Sequence, residues 1–243
     1  MIANTQIEFS HDRHRRIPMS RWSRFIPDLQ ALIERYWWRC HISAGDMLKR
    51  SFDVIASAIA LILIAPLCAL IAILIKIEDG GAVIFVQTRV GQNGRCFRMF
   101  KFRSMRIDAE ERLRELLTHN QHQTGVTFKL KDDPRITRVG KWLRKFSFDE
   151  LPQFYNVLIG DMSLVGPRPP VPREVALYSL SDRRRLFVRP GITCVWQISG
   201  RAEIDFHGQV MLDVHYIENR TFLTDIRILC KTVPAVLSGS GAY

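Results

Sequence analysis

Two adjacent carboxylates, Asp149 and Glu150, are the residues of this chain best suited to chemistry. Pro152 follows them, and Arg168 comes nineteen positions after Asp149 within a Gly-Pro-Arg-Pro sequence. A carboxylate on a rigid turn can attack phosphorus, and a guanidinium can bind two phosphate oxygens at once, which suits covalent phosphoryl transfer. An Asp-Glu pair before an apolar run is also typical of a helix N-terminus, and the spacing alone favours that simpler interpretation.

A β-hairpin that supplies further cations is predicted upstream. Ala82–Gln87 is typical of a short strand, Val90–Gly94 contains an Asn-Gly turn, and Cys96–Arg106 alternates apolar with basic residues. Lys101 and Arg103 should therefore stay available on a basic strand edge. Such an edge is either a solvated face or a surface that binds phosphate.

Two more arginines lie on predicted turns. Arg189 precedes a Pro-Gly turn, and Arg201 follows Gly200 at the end of the same segment. Side chains on turns can reach a ligand, so Arg189 and Arg201 are candidate substrate-binding residues. The chain has no CxxC, HExxH, GxxxxGK[ST] or GxGxxG pattern, so the sequence indicates neither a common zinc site nor a common nucleotide-binding loop.

Helices must position these residues. Val139–Phe146 predicts a basic amphipathic helix that leads directly to Asp149, with Trp142, Leu143 and Phe146 on a face suited to the lipid boundary. A helix of the protein interior would show a similar pattern. Further helices are predicted over residues 171–187, 205–218 and 225–237.

The segment Val54–Ile75 is a run of 22 residues without a charge, long enough to cross a bilayer of about 30 Å. Ala65 and Pro66 lie in its middle, where proline bends a helix. Both flanks are net positive, with nine Lys/Arg against five Asp/Glu in residues 1–50 and 26 against 18 in residues 76–243. A re-entrant helix that keeps both flanks in the cytoplasm is therefore favoured over a kinked spanning helix, which remains the alternative.

The 243-residue chain carries a formal charge of +11, which is compatible with a membrane surface or a nucleic acid as partner. Residues 1–45 are rich in arginine and aromatic residues, and they form either a surface-lying helix or a solvated tail. Nothing else in the chain supports base recognition. The five cysteines show no disulfide framework, and no signal peptide is indicated, so most of the chain should stay in the cytoplasm.

Taken together, the motifs resemble those of the bacterial sugar transferase family, the monotopic phosphoglycosyl transferases. The resemblance covers about residues 46–237, in the order of the family, and leaves out the N-terminal extension. The matching segments are Lys49–Asp53, the apolar run with Pro66, Val90–Gly94, Lys101–Met105, Asp133–Thr137, Phe148–Gln153, Gly160–Pro169 and Arg189–Thr193.

The resemblance implies a membrane enzyme that loads a sugar phosphate onto polyprenyl phosphate. Asp149 would attack the sugar-linked phosphate of a UDP-hexose and expel UMP, and undecaprenyl phosphate would then attack the phosphosugar enzyme. Mg²⁺ is the implied cofactor, and Glu150 would bind the metal or assist the nucleophile. The resemblance is to the short kind that initiates exopolysaccharide synthesis, often with galactose or glucose.

The resulting hypothesis is an α+β, mainly helical monotopic protein with a re-entrant helix, surface-lying helices and a small β-hairpin or sheet. We expect an N-terminal extension (1–45), a membrane helix (46–78) and a catalytic domain (79–243) facing the cytoplasm from the bacterial inner membrane. Expected partners are membrane lipid and the two substrates, not nucleic acid; a homo-oligomer and downstream glycosyltransferases remain open. The alternative is a membrane-anchored basic scaffold or nucleic-acid-binding protein without catalysis.

Two positions depart from the family pattern. Ala65 stands where serine often precedes the proline, so no hydroxyl can bond to a carbonyl that the bend frees. Cys194 stands where glycine is usual, which places a side chain in a predicted tight loop.

Overall fold

The computed structural model describes residues 27–109, 111, 133–200 and 204–238, with side chains from residue 45 onward. The chain divides into two compact units, Met1–Ala44 and Gly45–Tyr243. The candidate residue Arg201 lies outside the described residues, as does most of the N-terminal extension.

The longest element is helix α1, Pro27–Asp79, which continues through Pro66. Its part Gly45–Asp79 is, among the described residues, the one helix long and apolar enough to cross a membrane, and only 11% of its most apolar window is buried inside the protein. Ala65 and Pro66 are both exposed. Because the helix does not end at Pro66, the change of direction there stays a prediction.

The predicted hairpin is confirmed with shifted bounds, because the first strand ends three residues later than expected and the second ends four residues earlier. Strand β1 (Ile84–Val90) pairs antiparallel with β2 (Cys96–Phe102), from Ile84 opposite Phe102 to Val90 opposite Cys96. The turn has positive φ at Asn93 (55°) and Gly94 (77°). An Asn-Gly pair tolerates this left-handed backbone, and the twist of such a turn matches the twist of the two flanking strands.

Six shorter helices and two 3₁₀ turns follow the hairpin within the described residues. The helices are α2 (Arg138–Lys145), α3 (Gln153–Ile159), α4 (Pro172–Ala176), α5 (Val195–Ser199), α6 (Phe206–Asn219) and α7 (Phe222–Ser238), and the 3₁₀ turns are Phe148–Glu150 and Asp182–Phe187. The helices predicted before Asp149, over 205–218 and over 225–237 are thus confirmed.

The prediction of one continuous helix over residues 171–187 is wrong, because the helix is interrupted in the middle. Ser179 and Asp182 satisfy each other there: the Ser179 amide donates to Asp182 Oδ2 at 2.9 Å, and the Asp182 amide donates to Ser179 Oγ at 3.2 Å. These side-chain bonds compete with helical ones and divide the segment into α4 and the second 3₁₀ turn.

A second, parallel sheet was not predicted. Strand β3 (Ser163–Val165) pairs with β4 (Gly191–Thr193), which begins at the predicted Pro-Gly turn. The two strands approach closely beside Gly166, where a Cβ atom would lie 2.5 Å from the Arg189 carbonyl oxygen. Glycine is therefore required at this contact.

Two apolar clusters join α1 to the rest of its unit. One contains Met99, Val157 and Ile228, with Phe52 and Ala56 of α1 packed against it. The other brings together Ile71, Ile75, Phe102 and Leu143. Leu143 was expected on a lipid-facing surface and is instead fully buried, because its side of α2 faces α1; its neighbour Trp142 is 43% exposed.

The fold is therefore mostly helical, with a long apolar helix and two small sheets. This agrees with the predicted class and is consistent with a monotopic membrane protein.

Candidate active site

The two carboxylates lie on a tight turn between α2 and α3. Ser147 adopts the left-handed conformation (φ 55°), which reverses the chain immediately before Phe148–Glu150. Phe148 anchors the turn through edge contacts with Trp142, whose ring centroid lies 5.1 Å away. A non-glycine residue at positive φ is unusual, and the surrounding packing must hold it there.

Lys101 connects the hairpin to both carboxylates. Its Nζ donates to Glu150 Oε1 at 2.8 Å and lies 4.0 Å from Asp149 Oδ2. The Asp149 side chain is 13% exposed and that of Glu150 26% exposed. Glu150 is thus the directly paired carboxylate, whereas Asp149 is more buried and less tightly bound.

These surroundings shift the two carboxyl groups in opposite directions. Burial raises the pKa of Asp149 to about 6, and the charge of Glu150 adds to the rise although Lys101 opposes it. Burial also acts to raise the pKa of Glu150, but the charges of Lys101, Arg168 and Arg89 outweigh it, so its pKa is lowered. Near neutral pH both groups are then mainly ionised, and Asp149 is the stronger base.

Both carboxylates line a cavity of about 910 Å³. Three of the predicted substrate-binding residues, Lys101, Arg103 and Arg168, line it too. Arg168 is 36% exposed, and its Nη1 lies 3.9 Å from Glu174 Oε1. Arg103 Nη1 donates to Asp79 Oδ2 at 3.5 Å. The long Arg168–Glu174 pair leaves that guanidinium available for an anionic ligand.

The other predicted positions lie elsewhere. Arg189 is exposed and lines a separate cavity of about 170 Å³. Ala65 and Pro66 line neither cavity. Cys194 is buried in an extended conformation (φ −145°), and its Sγ donates to Gln197 Oε1 at 3.2 Å. The replacement of glycine by cysteine therefore requires no left-handed backbone there.

Arg89 is a site residue that the sequence interpretation missed. It is 7% exposed and lines the larger cavity. Its Nη1 donates to the Pro169 carbonyl at 2.8 Å, and its Nε donates to Gln87 Oε1 at 2.9 Å. Burial, together with the charge of Arg168, lowers the pKa of Arg89 to about 9. The Arg89 guanidinium thus holds the turn that carries Arg168.

A signal for Arg89 was present in the hairpin pattern. Lys101 is paired with Phe85, and side chains two residues apart along a strand point to the same face, so Phe85, Gln87, Arg89 and Lys101 share one face. Extending the Asn-Gly hairpin with this register would have placed Arg89 on the same face of the hairpin as Lys101. Arg144 also lines the cavity, and its charge acts on Asp149.

The apolar part of α1 packs against the turn that carries the two carboxylates. Phe148 and Leu151, which flank the carboxylates, pack against the cluster of Ile71 and Ile75. At the C-terminal end of α1, Glu78 Oε1 accepts the backbone amide of Arg138 at 2.7 Å and so satisfies the start of α2. The end of the apolar helix is therefore part of the scaffold that positions the site.

The beginning of the apolar helix is bonded to the same unit. Lys49 donates to Asp225 and to the Val165 carbonyl, the latter at 3.2 Å. Arg50 donates to two carbonyls at the C-terminal end of α3, those of Val157 at 2.7 Å and Leu158 at 3.0 Å. Both ends of the apolar run thus contact other elements of the same compact unit.

Comparison with known proteins agrees with this architecture. The profile of the family described as bacterial sugar transferase matches residues 44–239. The chain is 53% identical over 198 residues to the galactosyl transferase CpsE of Streptococcus agalactiae, covering 80% of this chain and 43% of that protein. It is 44% identical over 202 residues to the exopolysaccharide production protein ExoY of Sinorhizobium fredii, covering 82% and 89%.

A third relative is the undecaprenyl-phosphate galactose phosphotransferase of Salmonella typhimurium. The identity is 46% over 204 residues, which cover 82% of this chain and 42% of that protein. The aligned part is thus less than half the length of the Streptococcus and Salmonella proteins and most of the length of ExoY.

Proposed function

Because the chain belongs to the bacterial sugar transferase family, a family of enzymes, we propose that it transfers a hexose-1-phosphate from a UDP-hexose to undecaprenyl phosphate, with galactose or glucose as the hexose. The product would be the first membrane-bound intermediate of exopolysaccharide synthesis. Membership of an enzyme family disfavours the alternative of a scaffold without catalysis.

One observation carries this proposal. A buried carboxylate with a raised pKa, Asp149, lines a large cavity together with Lys101, Arg89 and Arg168. A nucleophile and several cations that line one cavity are what attack on a diphosphate requires. The names of the similar transferases from Streptococcus and Salmonella supply the sugar and lipid chemistry, which the cavity does not specify by itself.

In the first step, Asp149 attacks the phosphorus that carries the hexose. A bond forms between a carboxylate oxygen and phosphorus, the bond between the two phosphates breaks, and UMP leaves with the electron pair. Arg168 and Arg89 offset the charge on the departing phosphate, while Lys101 keeps Glu150 ionised beside the nucleophile. In this proposal Glu150 is not itself the nucleophile, because its side chain is engaged by Lys101 at 2.8 Å.

In the second step, a phosphate oxygen of undecaprenyl phosphate attacks the same phosphorus. The bond to Asp149 breaks, the carboxylate is regenerated, and the lipid carries a diphosphate-linked hexose. A covalent intermediate lets a soluble donor and a lipid acceptor use one cavity in turn. The packing of Phe148 against the apolar cluster of Ile71 supports such access from the membrane.

The carboxylate pair could bind a magnesium ion only if phosphate oxygens of the substrate supplied further ligands. No group of three or more His, Cys, Asp or Glu residues that could hold a metal occurs among the described residues. Mg²⁺ is often bound by one or two carboxylates together with substrate phosphates, so Glu150 would be a suitable protein ligand. When bound, the ion would neutralise charge on the phosphoryl oxygens.

The membrane arrangement is proposed to be re-entrant, with both flanks of α1 on the cytoplasmic face of the inner membrane. Lys49 and Arg50 at one end of the apolar run, and Ile75 and Glu78 at the other, contact the same unit. A helix that crossed the bilayer would separate these residues by about 30 Å of hydrocarbon. The contacts therefore support insertion without crossing.

The test is to trap the covalent intermediate. Enzyme incubated with UDP-galactose or UDP-glucose, without acceptor, should release one UMP per active site and carry a phosphohexose on the peptide that contains Asp149. Asp149→Asn should form no adduct and lose at least about a thousandfold in turnover, as expected for loss of a nucleophile. Peptide mass spectrometry and UMP release measure the two effects.

Asp182→Asn is the matched control, because Asp182 is an acid outside the cavity and asparagine keeps its acceptor oxygen. It should form the adduct like the wild type. An adduct that persists in Asp149→Asn would remove Asp149 as the nucleophile. Absence of UMP release from the wild type with every UDP-hexose would refute the proposed function.

A further inference from the structure

The cavity of about 170 Å³ beside Arg189 is a second cationic site, apart from the carboxylate pair. It shares no lining residue with the larger cavity in the described part of the chain. Its wall is built from the part of α1 just before the apolar run, the hairpin turn, the strand β3, the segment before β4 and the end of α6. Four cations line it, namely Lys49, Arg50, Arg189 and Arg220, against two carboxylates, Asp46 and Asp53.

Two of the four cations already have carboxylate partners. Lys49 forms an ion pair with Asp225, and Arg220 Nη2 lies 3.2 Å from Asp46 Oδ1. The buried Asp53 accepts the Leu164 amide at 3.3 Å. These contacts tie the cavity walls together. Within the part of the chain that the structure describes, Arg50 and Arg189 form no ion pair with a carboxylate, although the charge of Asp53 acts on Arg50.

Arg50 and Arg189 differ in how they are held. Arg50 is fixed by two carbonyl oxygens, whereas Arg189 makes no hydrogen bond or ion pair to any residue that the structure describes. Both guanidiniums line the same cavity, and the charge of Arg189 acts unfavourably on that of Arg50. An anion between them would convert this repulsion into attraction on both sides.

The position and the volume of this cavity limit the class of ligand that it can bind. Arg50 lies four residues before the apolar run, so the cavity faces the level of lipid headgroups if the run enters the bilayer. Its volume is well below the range of about 300 to 1,000 Å³ that is typical for whole small-molecule ligands. A phosphate group fits these limits, whereas a complete nucleotide does not.

We propose that this cavity binds a phosphate group between Arg189 and Arg50, either the phosphate of a phospholipid headgroup or free phosphate. The site is separate from the proposed reaction and needs no sugar nucleotide. Arg189 is the anion-binding side chain, and Arg50, held by α3, forms the fixed wall. A bound headgroup would fix the depth at which α1 sits in the membrane.

The experiment measures binding directly on the delipidated full chain in detergent. One arm titrates short-chain phosphatidylglycerol and counts bound lipid by native mass spectrometry. The other arm uses radiolabelled inorganic phosphate in equilibrium dialysis. We expect the wild type to bind one equivalent in at least one arm, and Arg189→Gln to weaken that binding at least tenfold.

Arg183→Gln is the matched control, because Arg183 is an exposed arginine outside both cavities and should bind like the wild type. Arg189→Lys should weaken binding less than Arg189→Gln. Lipid-only binding assigns the site to a headgroup, and binding in both arms assigns it to phosphate as such. Unchanged binding in Arg189→Gln, or no binding by the wild type in either arm, overturns the proposal; UMP release plays no part in this result.

Discussion

Asp149 and Glu150 are neighbours of the same chemical type, yet the structure gives them different protonation behaviour. Lys101 donates to Glu150 at 2.8 Å but stays 4.0 Å from Asp149. The pKa of Asp149 is accordingly raised to about 6, and that of Glu150 is lowered. Opposite shifts in a carboxyl pair are how active sites separate the roles of two similar groups.

A pH dependence follows from the Asp149 environment. The proposed nucleophile must be ionised to react, so kcat/KM should fall as the pH decreases through about 6, the value to which the pKa of Asp149 is raised. Below this value the fall should approach about tenfold per pH unit, as for a single ionisation. The profile is measured as UMP release at saturating undecaprenyl phosphate.

Two substitutions should move the midpoint of this profile in opposite directions. Lys101 lowers the pKa of Asp149 and Glu150 raises it. Lys101→Gln should therefore shift the midpoint to higher pH, and Glu150→Gln should shift it to lower pH. Single-turnover adduct formation measures both variants even if turnover is slow, and shifts in the same direction would contradict this electrostatic account.

Arg89 should matter to the reaction through the turn that carries Arg168. Arg89→Lys keeps the charge but loses the paired bonds to the Pro169 carbonyl and Gln87. Loss of buried bonds made by a charged group costs about 1.5 to 3 kcal/mol, so kcat/KM for the UDP-hexose should fall about 10- to 100-fold. Arg98→Lys, an exposed arginine on β2, is the control; equal effects in both variants would assign Arg89 no special role.

At the scale of elements, the site depends on contacts between segments far apart in the sequence. Asn156 of α3 accepts the Phe100 amide at 3.0 Å and donates to the Arg98 carbonyl at 2.7 Å, which fixes α3 against β2. The short β3–β4 pair links the segment before Arg168 to the segment after Arg189. The cations are therefore positioned by hydrogen bonds between different helices and strands.

Gly166 tests the importance of the parallel strand pair. A Cβ atom at this position would lie 2.5 Å from the Arg189 carbonyl oxygen and 2.9 Å from the Gly191 amide nitrogen. Both are backbone atoms that cannot rotate away, so Gly166→Ala should destabilise the fold by about 1 to 3 kcal/mol. Thermal unfolding in detergent measures the change.

Gly45→Ala is the corresponding control, since no atom lies within 4 Å of its added Cβ and its backbone is helical. It should be neutral or slightly stabilising, because alanine favours helix more than glycine does. Equal stability of Gly166→Ala and the wild type would show that the β3–β4 contact can relax without cost.

The way in which the apolar helix inserts into the bilayer is a property of the whole molecule. The start and the end of the apolar run contact one unit, and the exposed middle contains Ile62, Leu63 and Pro66. Insertion of this middle part into a single leaflet would cover the exposed apolar side chains while leaving the polar contacts in place.

Cysteine labelling tests this topology. In a variant whose five native cysteines are replaced by alanine, Ser10→Cys and Ser240→Cys provide one thiol on each flank of the apolar helix. We expect both thiols to resist an impermeant reagent in intact spheroplasts and to react after lysis. Labelling of only one of them before lysis would indicate a spanning helix.

Local patterns in the sequence were sufficient for the elements that form from near neighbours. The Asn-Gly pair predicted the hairpin, apolar periodicity predicted α2, α6 and α7, and the uncharged run predicted the long helix. The sequence also indicated Asp149, Lys101 and Arg168 as residues for phosphate chemistry. Each of these inferences depends on spacings of a few residues or on motifs whose residues are contiguous.

Tertiary structure alone decided which of these residues meet. It buried Leu143, brought Arg89 into the cavity, placed Arg189 in a different one, and paired β3 with β4. It also set the pKa of Asp149 through burial and through a lysine 48 positions earlier in the chain. The physical reason is that burial and electrostatic interactions depend on distances in space, which local sequence periodicity does not encode.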